Sequence, residues 1–184
     1  PHMPKFGSIT RASHFLEQGG GVIGNTLVAL ARLGVMTEMV ACIGDDTVGE
    51  MIRAGLLMEG VGVSYLKIEK TKLSQLLAVI VDEDTGERSF INRSATVSAV
   101  HVDESLRDAI GSAQILCLDN INESTLQAAR FARENGICTV LDPFGTYATQ
   151  SPLLRYIDVP IVAQRFAEEW FPDSPHQMTT EALV

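Results

Sequence analysis

The stretch QGGGVIGNTLVALARLG, residues 18–34, holds glycines at the spacing Gly19-x-Gly21-x-x-Gly24. This spacing is typical of a dinucleotide-binding turn, which joins a hydrophobic strand to a helix whose N-terminus faces the pyrophosphate. The preceding residues, RASHFLEQ, place an arginine, a histidine and a glutamate where that strand would be buried. The missing strand argues against a dinucleotide-binding role for these glycines. A dinucleotide-dependent oxidoreductase therefore stays only as an alternative.

The same stretch offers a second chemistry through Gly20, Gly21 and Asn25. Backbone without a Cβ lets a ligand lie directly on the chain and bond to its amides. The carboxamide of Asn25 both donates and accepts hydrogen bonds, as contacts with sugar hydroxyls require. The three residues therefore predict a site for a small polyol. For Asn25 alone, the plain N-cap of the helix that follows is an equally simple interpretation.

Polar residues also follow two apolar runs in the second half of the chain. Asp119-Asn120 ends the run ILCL, and Asp142 ends the run CTVL. Ligands collect at the carboxyl ends of the strands in open α/β sheets, so we expect these residues at one edge of a sheet, with Asp142 as a candidate site residue. The histidines and cysteines lack catalytic or metal-ligand spacing, so no metal-binding residues are assigned.

Composition excludes several classes of protein. Fourteen basic and twenty-three acidic residues give a net charge of −9, which argues against binding to nucleic acid or to anionic membranes. No apolar run approaches the roughly 18 residues of a membrane span. No secretory signal is visible, so we expect a cytoplasmic protein.

Hydrophobic periodicity predicts helices and strands in alternation over most of the chain. Repeated βα units with continuous apolar strands imply a mostly parallel sheet covered by helices on both faces. The predicted helices run from Asn25 to Gly34, from Asp46 to Gly60, after an Asp103 cap, from Asn122 to Gly136, at Pro152 and over RFAEEWF, and the predicted strands are TEMVACIG, AQILCLD, ICTVLDP and VPIV.

The middle of the chain has a different character. Two strand-like runs flank Asp84-Thr85-Gly86, a strong hairpin signal, and the preceding residues near Tyr65 and Lys67 alternate polar and apolar. We predict a small antiparallel sheet here, inserted into the main domain. Its uncovered strands invite pairing with a second copy, which predicts a homodimer through this sheet.

GGGVIGNTLVALARLG followed by ACIGDDTVGE resembles the first signature of the ribokinase (PfkB) family of carbohydrate kinases. The shared features are the Gly-Gly pair, the asparagine, the Ala-Arg-Leu-Gly helix end and the Gly-Asp-Asp-x-x-Gly turn, here Gly44 to Gly49. DTGERSF is similar to the hairpin of the family's lid, a β-sheet that covers the sugar. The resemblance runs over nearly the whole chain.

The resemblance implies an α/β fold, a three-layer αβα ribokinase-like domain with a mostly parallel sheet and a small β-sheet lid. It places lid strands at about 8–18 and 64–94 and the αβ body at 19–63 and 95–184. It also implies transfer of the ATP γ-phosphate to a sugar hydroxyl, with Mg²⁺ as counter-charge. By the same resemblance the substrate-binding residues are Gly20, Gly21, Asn25 and Asn92.

Several family features are missing from this sequence. The family's catalytic aspartate lies in a Gly-Ala-Gly-Asp turn, and no such turn occurs here. Gln164 and Ala167 stand where the family carries an Asn-x-x-Glu stretch near Mg²⁺ and phosphate, so Glu168 and Asp142 are the candidates for the phosphate or metal side. We therefore expect a partial domain, cut at both ends and lacking the C-terminal nucleotide-binding half, which is inactive alone. A non-catalytic sugar-binding module is a further alternative.

Overall fold

A computed structural model of the chain describes residues 6–143 and 151–162. Helices and strands alternate along it, and the predicted helices that lie within these residues are all confirmed. The helix predicted over RFAEEWF lies outside the described residues. The helices are α1 (Val22–Arg32), α2 (Thr47–Met58), α3 (Glu104–Ser112), α4 (Glu123–Glu134) and a 3-10 helix (Pro152–Tyr156); the strands are β1 (Glu38–Gly44), β2 (Gly62–Glu69), β3 (Leu76–Val81), β4 (Arg88–Arg93), β5 (Ile115–Leu118), β6 (Cys138–Leu141) and β7 (Val159–Pro160).

Contacts divide the chain into two compact units. The first unit comprises Pro1–Gly20 and Leu27–Ser98, and the second comprises Gly21–Thr26 and Ala99–Val184. The boundary passes through α1, so the first turn of this helix belongs with the second unit.

A βαβ element forms the centre of the first unit. β1 and β2 pair in parallel, from Glu38↔Gly62 to Gly44↔Glu69, and α2 connects them. The sequence predicted β2, within 64–94, as part of the antiparallel lid sheet, and this is wrong. A strand that returns after one helix and two short joints lies beside the strand that precedes the helix, and its polar–apolar alternation reflects its half-exposed position.

The predicted hairpin is present in the first unit. β3 and β4 pair antiparallel from Leu76↔Arg93 to Val81↔Arg88. The Asp82 carboxylate accepts the backbone N–H groups of Asp84 and Thr85, and Gly86 takes the left-handed φ of +73° that the turn requires.

The strand that the sequence predicted within about 8–18 is absent. These residues form no strand in the structure and are exposed. These residues lack an alternating apolar face, so burial against a sheet would not offset the conformational entropy that is lost when a strand becomes ordered.

The second unit contains a three-stranded parallel sheet in the order β5-β6-β7. Its registers run from Ile115↔Cys138 to Leu118↔Leu141 and from Val140↔Val159 to Leu141↔Pro160. Asp103 caps α3, and Asn122 caps α4 in a reciprocal capping box with Thr125. The core of this unit is a cluster of buried apolar side chains, namely Leu118, Ala129, Leu141, Leu153 and Ile157.

None of the helices in the described part of the chain is long and apolar enough to cross a membrane.

Candidate functional site

The helix α1 begins directly after the three glycines. Gly21 has φ +88°, a left-handed conformation that side chains rarely adopt, so this position requires glycine. A Cβ at Gly19, Gly20 or Gly21 would meet no described atom within 4 Å. Packing inside the protein therefore does not account for glycine at the first two positions, and the backbone there is open to a ligand.

Asn25 is the fourth residue of α1 and not its N-cap. Its backbone N–H donates to the Gly21 carbonyl at 3.0 Å, so it lies inside the first hydrogen-bonded turn. Helix capping is thus wrong as the explanation of this residue. Its side chain is exposed and makes no hydrogen bond within the described residues, which leaves the carboxamide available to an external partner.

The carboxyl ends of β5 and β6 bring Asp119 and Asp142 to one edge of the sheet of the second unit. Each aspartate follows the last residue of its strand, and Leu118 pairs with Leu141. The backbone N–H of Asp142 donates to the Leu118 carbonyl at 2.9 Å. Asn120, next in the chain, donates from Nδ2 to Asp119 Oδ1 at 2.7 Å.

The carboxylate of Asp119 is partly buried. Its partial burial is the main cause that raises its pKa, and the nearby Asp142 carboxylate raises the pKa further. Hydrogen bonds from Asn120 and from the backbone N–H of Ile23 act in the opposite direction. Residues Gly21–Thr26, which include Asn25, group by their contacts with the unit that contains this sheet edge.

The remaining predicted site residues lie elsewhere. Asn92 is in β4 of the first unit, opposite Leu77, where its side chain accepts from Gln75 Nε2 at 3.2 Å and donates to Ser94 Oγ at 3.4 Å. Glu168 lies outside the described residues. The structure thus gathers Gly21, Asn25 and the two aspartates in the second unit.

A second cluster of polar contacts lies at the Gly-Asp-Asp-x-x-Gly turn of the first unit. The sequence predicted only that Asp46 caps the helix, and it did not predict the other contacts of this residue. Asp46 caps α2 through Gly49 N at 2.9 Å, and it also accepts from Ser74 Oγ at 2.7 Å and from Arg93 Nη2 at 3.0 Å. The Ser74 hydroxyl is the largest cause of the lowered pKa of Asp46. No periodicity marks Ser74 or Arg93, so only the tertiary structure could reveal their role.

The described residues offer limited means to hold Mg²⁺. No group of three or more histidine, cysteine, aspartate or glutamate side chains with metal-binding geometry occurs among them. Asp119 and Asp142 supply carboxylate oxygens at one edge, and Mg²⁺ commonly takes one or two carboxylates together with substrate phosphates. Among the described residues, these two carboxylates would be available to a magnesium ion that is shared with a nucleotide, and no dedicated protein cage for the ion is present.

Comparison with known proteins identifies the family of the chain. Residues 2–183 match the model of the pfkB family carbohydrate kinases. A ribokinase from Haemophilus influenzae is 27% identical over 165 residues, which cover 86% of this chain and 53% of that protein. A fructokinase from Solanum tuberosum is 31% identical over 146 residues, covering 74% of this chain and 45% of that protein.

The structure of a ribokinase from Arabidopsis thaliana, solved with ribose and ATP, superposes with a TM-score of 0.77 at 22% identity. The match covers 92% of this chain and 56% of that one, and it establishes a ribokinase-like α/β fold. The chain spans about half the length of the curated relatives it matches. Together these findings show that the chain belongs to the pfkB family of carbohydrate kinases.

Proposed function

We propose that this chain forms the sugar-binding part of an ATP-dependent sugar kinase. The observation that carries the proposal is the start of α1 at the edge of the second unit's sheet. There Gly21 and the Asn25 carboxamide, which makes no hydrogen bond within the described residues, group with the unit that holds the carboxyl ends of two parallel strands. Ligands of open α/β sheets bind at such edges.

In this proposal Gly20 and Gly21 offer backbone amides to the sugar, and Asn25 exchanges hydrogen bonds with its hydroxyls. Asn92, near the end of β4, contributes a second carboxamide. These residues bind and orient the acceptor hydroxyl, which is the larger part of catalysis in phosphoryl transfer.

Asp142 and Glu168 are proposed for the phosphate and metal side. When bound, Mg²⁺ and ATP supply a phosphoryl group whose charge is neutralised by the metal. The chain contains no Gly-Ala-Gly-Asp sequence to provide a base and an anion hole. We therefore propose that this chain alone binds sugar without transferring phosphate, which is also the behaviour of a non-catalytic sugar-binding module.

A dinucleotide-dependent oxidoreductase fits the site less well. In such proteins a buried strand directly precedes the glycines and leads into the helix whose N-terminus holds the pyrophosphate. Here residues 8–18, which precede the glycines, form no strand and are exposed. The site therefore lacks the strand on which a dinucleotide-binding turn depends.

We further propose that the protein forms a homodimer through the β3–β4 hairpin and acts in the cytoplasm. Six large apolar side chains on the hairpin are between 37% and 60% exposed, among them Leu77, Val79, Phe90 and Ile91. Two-stranded sheets with such exposure are marginal unless something covers them. The cysteines Cys42, Cys117 and Cys138 are free, as a reducing compartment allows.

Titration calorimetry of the chain with fructose, ribose and NADH tests the proposed function. We expect a sugar to bind, and we expect Asn25→Ala to weaken that binding by roughly tenfold, the value of a hydrogen bond to a buried or desolvated group. Gln127→Ala is the matched control, since it removes an exposed helix carboxamide that contacts only Glu123 within the described residues.

A coupled ATP assay on the same chain completes the test. Sugar binding without ATP consumption supports the proposal as a whole. Phosphate transfer by the chain alone would contradict its proposed inactivity. If the chain binds NADH and binds no sugar, the proposed sugar-kinase function is contradicted and the oxidoreductase is favoured.

A further inference from the structure

We propose that Arg93 is a positioning residue, which ties the base of the β3–β4 hairpin to Asp46 at the start of α2 and thereby sets the place of Asn92. The inference rests on the proposed function, since Asn92 is one of the two carboxamides proposed to bind the sugar. Arg93 itself is not assigned a contact with the sugar.

The first observation is that burial of the strands does little to hold the hairpin in place. Every residue of β4 is exposed, and β3 has a single half-buried residue, Ile80. A two-stranded sheet without a covered face is only marginally stable in water. Polar contacts at the ends of the strands therefore matter for where the hairpin lies.

The second observation is that both strands of the hairpin are joined to one carboxylate at their base, where Leu76 pairs with Arg93. Arg93 Nη2 donates to Asp46 Oδ2 at 3.0 Å. The same nitrogen donates to the backbone carbonyl of Ser74, two residues before β3, also at 3.0 Å. The Ser74 hydroxyl donates to Asp46 Oδ1 at 2.7 Å. Asp46, Ser74 and Arg93 together form what we name the base cluster.

The third observation is that the base cluster is itself fixed by the βαβ element. Asp46 caps α2 by accepting the backbone N–H of Gly49 at 2.9 Å. Ser74 is buried, and its hydroxyl accepts the backbone N–H of Gly44, the last residue of β1, at 2.9 Å. A carboxylate held by these groups has one position, and it defines one position for the guanidinium that binds it.

The fourth observation is that Asn92 lies beside the base cluster on both strands. It directly precedes Arg93 in β4, so the cluster holds the backbone that carries its side chain. Its Oδ1 accepts from Gln75 Nε2 at 3.2 Å, and Gln75 directly follows Ser74. Without the contacts of Arg93, the base of the hairpin would sample several positions, and sugar binding would bear the entropic cost of ordering Asn92.

The two oxygens of Asp46 have different main partners, which makes a selective substitution possible. Oδ1 accepts from Gly49 and from the Ser74 hydroxyl, whereas Oδ2 accepts from Arg93, and the Ser74 backbone N–H lies 3.3 Å from both oxygens. Asparagine keeps one oxygen and is itself a preferred N-cap, but its amide nitrogen cannot accept a hydrogen bond from Arg93. The substitution Asp46→Asn therefore cuts the link to β4 and leaves α2 capped.

Hydrogen–deuterium exchange of the unliganded chain, at one chain concentration for all variants, provides the first test. In Arg93→Met and in Asp46→Asn we expect the amides of residues 76–81 and 88–93 to exchange at least about tenfold faster, while those of α2 are unchanged. The matched control is Arg32→Met, which removes an ion pair with Glu59 of 2.6 Å in the same unit and should leave exchange in the hairpin unchanged. Unchanged exchange in the hairpin of either variant would overturn the proposal, whatever the chain binds.

Sugar affinity, measured by titration calorimetry, provides the second test. Arg93→Met and Asp46→Asn should each weaken binding by roughly tenfold, and the double variant should weaken it no further, because both changes break the same interaction. Arg93→Lys retains a charged donor for Asp46 and should restore most of the affinity. Losses that add in the double variant would show that the two residues act separately, against the proposal.

The two tests distinguish failure of this inference from failure of the proposed function. If the wild type binds sugar and Arg93→Met binds it equally well, the positioning role is refuted while the proposed function stands. If the wild type binds no sugar, the proposed function fails, and exchange in the hairpin still decides whether Arg93 ties it to Asp46.

Discussion

At the residue scale, the Gly-Asp-Asp-x-x-Gly turn is held together by contacts that leave no room for side chains at its two glycines. A Cβ on Gly44 would lie 2.2 Å from the Lys72 carbonyl oxygen, and one on Gly49 would lie 2.1 Å from the Gly44 carbonyl oxygen. The backbone N–H of Gly44 also donates to Ser74 Oγ at 2.9 Å. Sequence similarity marks this turn as a family feature, and the structure gives a steric reason for its glycines.

Two glycines of the same helix allow a matched prediction. Gly49→Ala should lower the free energy of unfolding by about 2 kcal/mol or more, because the new methyl group collides with backbone that cannot move away cheaply. Gly55→Ala, also in α2, should raise it by about 0.5–1 kcal/mol, because a Cβ there meets nothing and alanine favours the helix.

Urea denaturation of the two variants measures both effects. Equal changes in stability would show that helix propensity dominates at both positions. That result would contradict the close packing of the turn.

At the element scale, hydrogen bonds of Thr139 in β6 connect this strand to the end of the 3-10 helix and to the residue before β7. Thr139 is completely buried. Its hydroxyl lies 2.6 Å from the Tyr156 carbonyl and 2.9 Å from Asp158 Oδ2, and it accepts the backbone N–H of Asp158 at 2.9 Å. The Thr139 N–H is the largest cause of the lowered pKa of Asp158, whose carboxylate also pairs with Arg133. The last elements of the described chain therefore depend on a polar contact inside the core.

The substitution Thr139→Val tests how much the hydrogen bonds of this hydroxyl contribute to stability. The change keeps the shape and removes the hydroxyl, so polar groups of Tyr156 and Asp158 lose a partner, and the free energy of unfolding should fall by about 1–3 kcal/mol. Thr139→Ser keeps the hydroxyl and loses only a methyl group, at a cost of about 1 kcal/mol. Stability can be measured by calorimetric or urea unfolding. If the Thr139→Ser variant is less stable than the Thr139→Val variant, packing of the methyl group, and not the hydroxyl, holds these elements together.

At the scale of the whole molecule, the β3–β4 hairpin exposes apolar side chains on both of its faces. Val79 and Phe90 are directly opposite each other on adjacent strands, and they are 46% and 53% exposed. Ile91 is on the other face and is 60% exposed. Because apolar side chains are exposed on both faces of this small sheet, we propose that a second copy of the chain covers one face.

We expect light scattering to give twice the mass of the chain, 19.9 kDa, and to show dissociation on dilution. Phe90→Ser and Ile91→Ser, one on each face, should weaken the dimer by different amounts and identify the face that pairs. Leu33→Ser, which replaces an apolar residue that is 79% exposed beyond the end of α1, is the control and should leave the dimer intact. A monomer at every concentration would contradict pairing through the hairpin.

The sequence by itself determined the order and type of nearly all the described elements, because helix caps, glycine stops, apolar strands and the Asp84-Thr85-Gly86 turn are local signals. It also indicated the family and placed Asp119 and Asp142 at the ends of neighbouring strands. Tertiary structure alone decided that β2 pairs with β1, that residues 8–18 form no strand, and that the first turn of α1 groups with the unit that contains Asp119. These outcomes depend on which distant segments meet, and local periodicity carries no information about the partner.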